Sequence, residues 1–546
     1  MGADRIDRPD KKDGKRWLRR TLADLRGRDK TGDVIAGYVE EGAGHVAIGK
    51  DIVQSDGDAR AGTRERRIAI GKNIIQVGTL VIPTVPVLAV LGVIVSALVF
   101  VAVNFMGPAE MPGDFNIAVA EIGEIDAEGR VRPSDDGELL SRWVFNELVA
   151  ANEAKGESSL VIWHDSLSLL DKRVKLGTIS GQTPEDRADA AGDLAERVKA
   201  DVVVYGHLTP HNSPAELVLE FNVQPSMRAE ANVTIGRYQL GEPIPVPEHF
   251  DPTDTLAKEA LSSRVTSRAE ALFWLLLGLR HDLLGDSELA LDTFRQAEAE
   301  LGRWKGEPGG GSEILYFFIG RSALFLQQYD EAEAALQEAL RIDPAYARAK
   351  IVLAGVDFRR VQDLLHPPGG HSPQPEDVEQ AIAGVERAIL VYQEGLALAW
   401  ESHEPLVEMI ARLALASAYR LKGEIYFWLQ DDAEANRFFA LAIEEIQIVL
   451  APLEKAEQYR ILAQAHLYLG AAYTQQAEIL RKEGDVEGSR ALYEEAQAAY
   501  VTCIAQGQEA PLDDILETKI IEASCQPWSK YVEEVLLTLP QIQASR

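Results

Sequence analysis

The sequence predicts a multidomain protein: a single transmembrane helix, an α/β domain with a partly parallel sheet, then an all-α solenoid. Three observations predict it. No residue from Asn73 to Ala109 is charged. Residues 114–245 alternate apolar strand-like runs with helical ones. From residue 265 onward almost every stretch has helical spacing, and one pattern of small and large residues returns along it.

Bulk composition bounds the parts. At 546 residues, with 46% apolar and 26% charged residues, the chain has room for roughly two to four domains. Residues 1–72 hold 17 Lys and Arg against 13 Asp and Glu, a net +4, so the rest of the chain carries −35 of the total −31. So acidic a body repels phosphate, which argues against a nucleic-acid partner. Its ordinary role is solubility. Two cysteines, Cys503 and Cys525, exclude a disulfide framework and a cysteine-based zinc site. They fall near corresponding ends of two consecutive helical runs, where a simple antiparallel hairpin would hold them roughly 15 Å apart. They are expected as core cysteines, with one bridge left open if the compartment is oxidising.

Residues 1–31 form a basic tail. Within it "KRWLRRTLADLRGR" (15–28) sets Trp17, Leu18, Leu22 and Leu25 on one helical face, either a helix on an anionic membrane surface or a frayed basic end. Residues 32–79 are Gly-rich with short β-type runs. "GHVAIGKD" (44–51) has the skeleton of a phosphate-binding loop, Gly44 followed by Gly49 and Lys50. Asp51 stands where such a loop needs Ser or Thr, and no helix follows. The phrase also returns as "AIGKNIIQ" (69–76). The repeat reads better as two strand–turn–strand units, each too small to stand alone. A cytoplasmic self-association or docking element is the expectation for this segment.

The span 80–104 follows. Its apolar run exceeds the roughly 20 residues that cross a bilayer core, and it starts too far into the chain for a signal peptide. Arg60, Arg64, Arg66, Arg67 and Lys72 precede it; the first basic residue after it is Arg130. The positive-inside rule puts the N-terminus in the cytoplasm and the C-terminal bulk outside it, a single-pass cell-membrane topology.

In 114–245 the strand-like runs are 115–123, 159–165, 200–208, 216–223 and 234–241, with helical runs at 136–153 and 183–200. Strand–helix–strand–helix–strand implies a partly parallel sheet covered by helices. Ala200, Asp201, Val202–Val204 and Gly206 match the last strand of the N-terminal domain of TolB-like proteins, and this stretch resembles that domain over about 130 residues. The resemblance brings no catalytic residues.

Residues 265–506 carry the returning pattern. Trp274, Leu277 and Gly278 are followed by Gly285, Ala290, Phe294 and Ala297. Tyr316, Ile319 and Gly320 are followed by Ala332, Leu336, Ala339 and Pro344. A third unit has Leu353 and Ala354 with Ala381, Val385 and Ala388 around an insert at 366–377. A fourth has Gly423 and Tyr426 with Ala435, Phe439 and Ala442, and a fifth has Leu469, Gly470 and Tyr473 with Tyr493 and Ala496. This resembles the tetratricopeptide repeat family, a helical hairpin repeated every 34 residues. Small residues let paired helices approach, and stacking buries what one hairpin cannot. Residues 507–546 would cap the array.

In that family the first helix of each hairpin lines the concave face. The resemblance places Phe317, Arg321, Arg348, Phe358, Arg359, Arg420, Phe427 and Trp428 there, a candidate site for a peptide or acidic ligand. The bland alternative is that these arginines are solvated or paired with nearby glutamates. His164, His207 and His211 with Asp165 sit where ligands of α/β sheets bind, yet read better as polar loop residues. No nucleophile–base or metal constellation converges, so neither catalysis nor a cofactor is expected. The reading is a non-catalytic, membrane-anchored scaffold binding protein or peptide partners through its solenoid. The alternative is a transmembrane sensor whose α/β domain binds a small ligand and signals to the cytoplasmic segment.

Overall fold

The computed structural model describes residues 110–156, 160–165, 175–209, 215–224, 234–246, 255–301, 311–366, 374–509 and 516–544. The tail at 1–31, the β-type repeat at 32–79 and the apolar span at 80–104 lie outside the described residues, as does His211. Among the described residues no helix is long and apolar enough to cross a membrane.

The α/β domain is one mixed sheet with two helices. Its strands are β1 (Phe115–Val119), β2 (Gly123–Ile125), β3 (Val131–Pro133), β4 (Leu160–His164), β5 (Val202–Thr209), β6 (Ala215–Val223), β7 (Gly236–Gln239) and β8 (Ile244–Val246). Helix α1 (Asp135–Lys155) precedes β4, and α2 (Pro184–Val198) precedes β5. β5 is the axis. One of its edges is shared by β1 and β2, both parallel to it. β4 lies parallel beyond β1, and β3 antiparallel beyond β2. The other edge of β5 takes β6 antiparallel, and β6 in turn takes β7 and β8. β2, β3 and β8 have three residues each, too short to show an alternation, so the sequence pattern did not reveal them.

Both helices start where their sequence provides a cap. Ser134 accepts from the Gly137 amide at 3.1 Å. Thr183 and Asp186 form a reciprocal capping box with Pro184 in the first turn. α2 is held to the sheet by a buried charge cluster. Glu220 on β6 accepts from Arg187 Nε at 2.8 Å and from Arg237 Nη1 at 2.9 Å, and His207 Nδ1 lies 3.5 Å away. Burial alone would raise the Glu220 carboxyl, but hydrogen bonds from His207 and Arg187 and the Arg187 charge outweigh it and hold it down to about 2.

The helical region is a stack of hairpins. They pair α3 (Thr255–Leu283) with α4 (Ser287–Leu301), α5 (Glu313–Phe325) with α6 (Tyr329–Ile342), and α7 (Ala347–Leu365) with α8 (Pro375–Glu401). α9 (Pro405–Trp428) pairs with α10 (Asp432–Lys455), and α11 (Tyr459–Glu483) with α12 (Val486–Glu509). Inside a hairpin one contact recurs. A methyl group on Gly278 would meet the Phe294 ring at 2.5 Å, one on Gly320 would meet Leu336 at 2.6 Å, and one on Gly423 would meet Phe439 at 2.6 Å. Gly470 faces Tyr500 in the same way, at 2.7 Å, rather than Tyr493, because both helices of that hairpin are long. The α7–α8 hairpin inverts the arrangement: its close glycines, Gly384 and Gly395, sit on the second helix against Val361 and Ile351.

The hairpin turns also repeat. Gly285, Gln327, Gln430 and Gly484 all adopt left-handed φ values, between 57° and 87°. In each turn the following amide bonds back across the helix end, as in Gln328 to Ala323 O at 2.9 Å and Asp431 to Tyr426 O at 3.0 Å. Asp286, Asp431 and Asp485 then cap the next helix through their carboxylates.

After α12 a π-helix (Leu516–Cys525) and α13 (Gln526–Ala544) close the array. Here the separation expected for the cysteines is overturned. Cys503 and Cys525 form a disulfide with Cα atoms 6.3 Å apart. The second run is wound as a π-helix, which advances less per residue than an α-helix, so its end comes to lie opposite Cys503.

Two outcomes are expected. Gly423→Ala, which forces a methyl into the Phe439 ring, lowers stability by about 1–3 kcal/mol in a denaturant titration. Because the folded Glu220 carboxyl titrates below its ordinary value, its stabilisation is complete above about pH 4.5 and fades as pH falls toward 2. Glu220→Gln removes that part of the acid dependence, measured by denaturation midpoints between those pH values.

Candidate functional site

A cavity of about 140 Å³ opens between the first helices of successive hairpins. α5 contributes Arg321, Leu324 and Phe325; α7 contributes Ile351, Val352, Gly355, Phe358 and Arg359. α9 adds Ile410, Leu413, Ala414 and Ser417, α11 adds Ile461, Gln464 and Tyr468, and Tyr392 reaches in from α8. The spacing of Leu324, Ile351, Ile410 and Ile461 shows why the wall is apolar: each sits on the helix face shared with the neighbouring hairpin. Among the described residues, two guanidiniums stand in the wall and no carboxylate does.

Of the eight residues expected on this face, three converge on the cavity: Arg321, Phe358 and Arg359. Arg321 is almost fully buried, paired with the buried Asp282 carboxylate and lying over the Phe325 ring at 4.5 Å. Arg359 is half-buried and donates to Gln362 Oε1 at 3.2 Å.

The other five are placed elsewhere. Phe317 is fully buried against Phe318 and Tyr346, since α5 is covered by its neighbours on this side too. Arg420 is buried and paired with Glu424 one turn on. Phe427 lies under Lys482, whose Nζ is 3.3 Å from the ring centroid, and Trp428 meets His366 edge-on at 5.7 Å.

Arg348 has the largest displacement from its expected role. It leaves the cavity and holds the sheet to the solenoid. Its Nη1 donates to Ile235 O at 2.6 Å and Tyr238 Oη at 2.9 Å, and its Nη2 pairs with Glu404 at 2.9 Å. Tyr238 in turn stacks on Phe221 at 5.1 Å and tilts against Phe318 at 5.8 Å. Gly236 makes this possible. Its φ of +125° suits glycine, and a side-chain carbon there would lie 2.8 Å from Arg348 Nη2. One apolar core runs through this junction, from Phe115 and Val202 of the sheet to Phe294 and Val356 of the hairpins.

The sequence signal for the missed wall residues was slight. Gly355 interrupts α7 without facing a large residue: a methyl group there would touch Leu324 at 3.5 Å and Tyr392 Oη at 3.6 Å, ordinary contacts at a cavity wall. Tyr392 belongs to a second helix, which the repeat pattern assigns to the opposite side.

The strand ends of the α/β domain hold a second polar cluster. His164 Nε2 lies 3.2 Å from Ser141 Oγ, and its ring packs on Phe145 at 5.2 Å. Burial pushes the His164 imidazole below its ordinary value. Glu121 accepts from Thr178 Oγ1 at 3.3 Å, and burial together with the neighbouring Asp165 raises its carboxyl. Among the described residues no group of three His, Cys, Asp or Glu could hold a metal ion.

Gly236→Ala is expected to weaken the junction through both its backbone strain and its clash with Arg348, by about 1–3 kcal/mol. Arg348→Met, which strands Glu404, costs more, about 3–5 kcal/mol. Denaturation curves give both values, and limited proteolysis should release the sheet from the hairpins sooner in either variant.

Comparison with known proteins places the repeat. The tetratricopeptide repeat family model matches residues 314–346, the α5–α6 hairpin and the turn after it. No curated protein matches the chain. Among solved structures it is similar to a thermophilic tetratricopeptide repeat protein of Thermus thermophilus, at 19% identity over 46% of this chain and 98% of that one, with a TM-score of 0.27. BtubC from P. vanneervenii is similar at 15% identity over 45% and 85%, with a TM-score of 0.29. The apo form of RapI is similar at 16% identity over 46% and 81%, with a TM-score of 0.28. Taken with the glycine contact that recurs inside the hairpins, the match over 314–346 identifies the helical part of this chain as a tetratricopeptide-type solenoid.

Proposed function

We propose that this protein is a non-catalytic, membrane-anchored scaffold that binds a protein or peptide partner through the cavity face of its solenoid. The observation that carries the reading is the cavity itself. Four first helices and Tyr392 converge on it, its wall is mainly apolar, and among the described residues its ionic groups are Arg321 and Arg359. Aromatic and arginine side chains are the types that supply most binding energy at protein interfaces.

Two further features support an extracytoplasmic solenoid on a single-pass anchor. The uncharged run at 80–104 has basic residues on its N-terminal side only. The Cys503–Cys525 disulfide is of a kind that persists in oxidising compartments. The resemblance of the α/β domain to TolB-like proteins rests on the β5 strand, where Gly206 lets the β6 backbone approach: a side-chain carbon would lie 2.4 Å from Val218 O. Self-association through residues 32–79 belongs to the same reading.

Two measurements test it. A photo-crosslinking side chain at Leu413, in the cavity wall, should capture the partner in intact cells, and one at Arg295, on the outer helix α4, should not. Equal capture from both sites removes the cavity from the reading. With epitope tags at both ends, external protease should remove the C-terminal tag of intact cells and spare the N-terminal one. The reverse pattern overturns the topology.

A further inference from the structure

The cavity is more selective than a binding face in general. Its apolar wall comes from Leu324, Phe325, Phe358 and Leu413 and their neighbours, and about 140 Å³ is the space of one large side chain rather than of a folded surface. At one side stand the guanidiniums of Arg321 and Arg359. Arg321 is tied to Asp282 and to the Phe325 ring, which fixes its orientation. Polar atoms also reach the wall: the Tyr392 hydroxyl lies beside Gly355, and Gln464 Nε2 donates to Tyr468 Oη at 2.8 Å. Among the described residues the wall offers cationic, apolar and hydrogen-bonding groups, and no carboxylate.

We propose that this cavity is a specificity pocket for an extended acidic peptide. It receives one aromatic or branched aliphatic side chain, and Arg359 and Arg321 pair with a carboxylate on an adjacent residue of the same segment. The occupant follows from charge and volume. A basic neighbour would be repelled by both guanidiniums, and a polar side chain would leave the apolar wall unfilled while losing its own water. Tyr392 and Gln464 are placed to hydrogen-bond the peptide backbone on either side. This proposal rests on the reading of the cavity face as the partner site. It adds which chemistry the partner presents.

Gly355 supplies a clean probe of the pocket. Its φ is not in the left-handed region, and a first side-chain carbon makes only ordinary contacts, so Gly355→Ala narrows the pocket without straining the helix. Gly355→Val fills it further. Arg359→Gln removes a charge at a half-buried position and leaves the packing in place.

The test is selection from a random heptapeptide library on the full-length protein in detergent, followed by affinity measurement on the enriched peptides. Selected peptides should share an aromatic or branched aliphatic residue next to Asp or Glu. Replacing that apolar residue by Ser should weaken binding about tenfold or more. Gly355→Val should weaken it similarly, and Arg359→Gln about fivefold. Melting temperature checks that each variant folds, and Gly355→Ala with Arg359→Gln keeps the test intact if Gly355→Val does not. A basic or purely polar motif overturns the proposal. So does an acidic–apolar motif whose binding ignores both pocket variants, and so does tight binding of 3-phenylpropionate with no peptide enriched. If no peptide is enriched yet the Leu413 crosslinker captures a partner, the pocket assignment fails while the scaffold reading stands; capture failing as well removes both.

Discussion

The solenoid depends on one contact, a glycine in the first helix of a hairpin lying against a large side chain of the second. In the α3–α4, α5–α6 and α9–α10 hairpins the glycine is 16 residues ahead of its partner, Phe294, Leu336 or Phe439. No side-chain carbon fits between them, so the helices pack at a distance that only glycine permits. That distance fixes the pitch of each hairpin and therefore the separation of the first helices from one hairpin to the next. The cavity exists because four such helices are held at that separation around it, with Gly355 leaving its own side of the wall thin.

The other constraint is the fate of buried charge. A guanidinium withdrawn from water has to be paired and hydrogen-bonded, and the chain solves this in three different ways. Arg187 is enclosed with Glu220 inside the α/β domain, Arg348 joins that domain to the hairpins through Glu404 and Tyr238, and Arg420 is paired within its own helix with Glu424. Arg321 and Arg359 stay in the cavity wall. The junction formed by Arg348 gives the sheet a structural task. It covers the N-terminal side of the stack with a continuous apolar core, and the π-helix and α13 do the corresponding work at the other end, tied to α12 by the Cys503–Cys525 bridge.

A scaffold reading fits these features because the repeated geometry of the stack leaves a preformed pocket without chemistry of its own. The polar groups that the α/β domain gathers at its strand ends, His164, Ser141, Glu121 and Thr178, satisfy one another within that domain. The cavity in the solenoid presents both an apolar volume and a charge of one sign, the two ingredients of selective recognition.

Much of this was legible in the sequence. Gly278, Gly320 and Gly423, each followed by a large residue 16 positions on, announce the hairpins, because periodicity and residue size are local properties of the chain. The alternating runs of 114–245 announce a partly parallel sheet for the same reason. The ends of hairpins were legible in part: Gly285 marks its turn, but Gln327 and Gln430 adopt the same left-handed conformation without the residue type that signals it. What the sequence could not determine is which neighbour each side chain meets. Arg348 and Arg359 look alike in a helical pattern, yet one meets Ile235, Tyr238 and Glu404 across more than 50 residues of chain and the other meets the cavity. The same holds for the cysteines, whose separation follows from a π-helix rather than from their spacing. Local spacing determined the elements; only tertiary packing, by choosing partners for buried charge and for glycine gaps, decided the site.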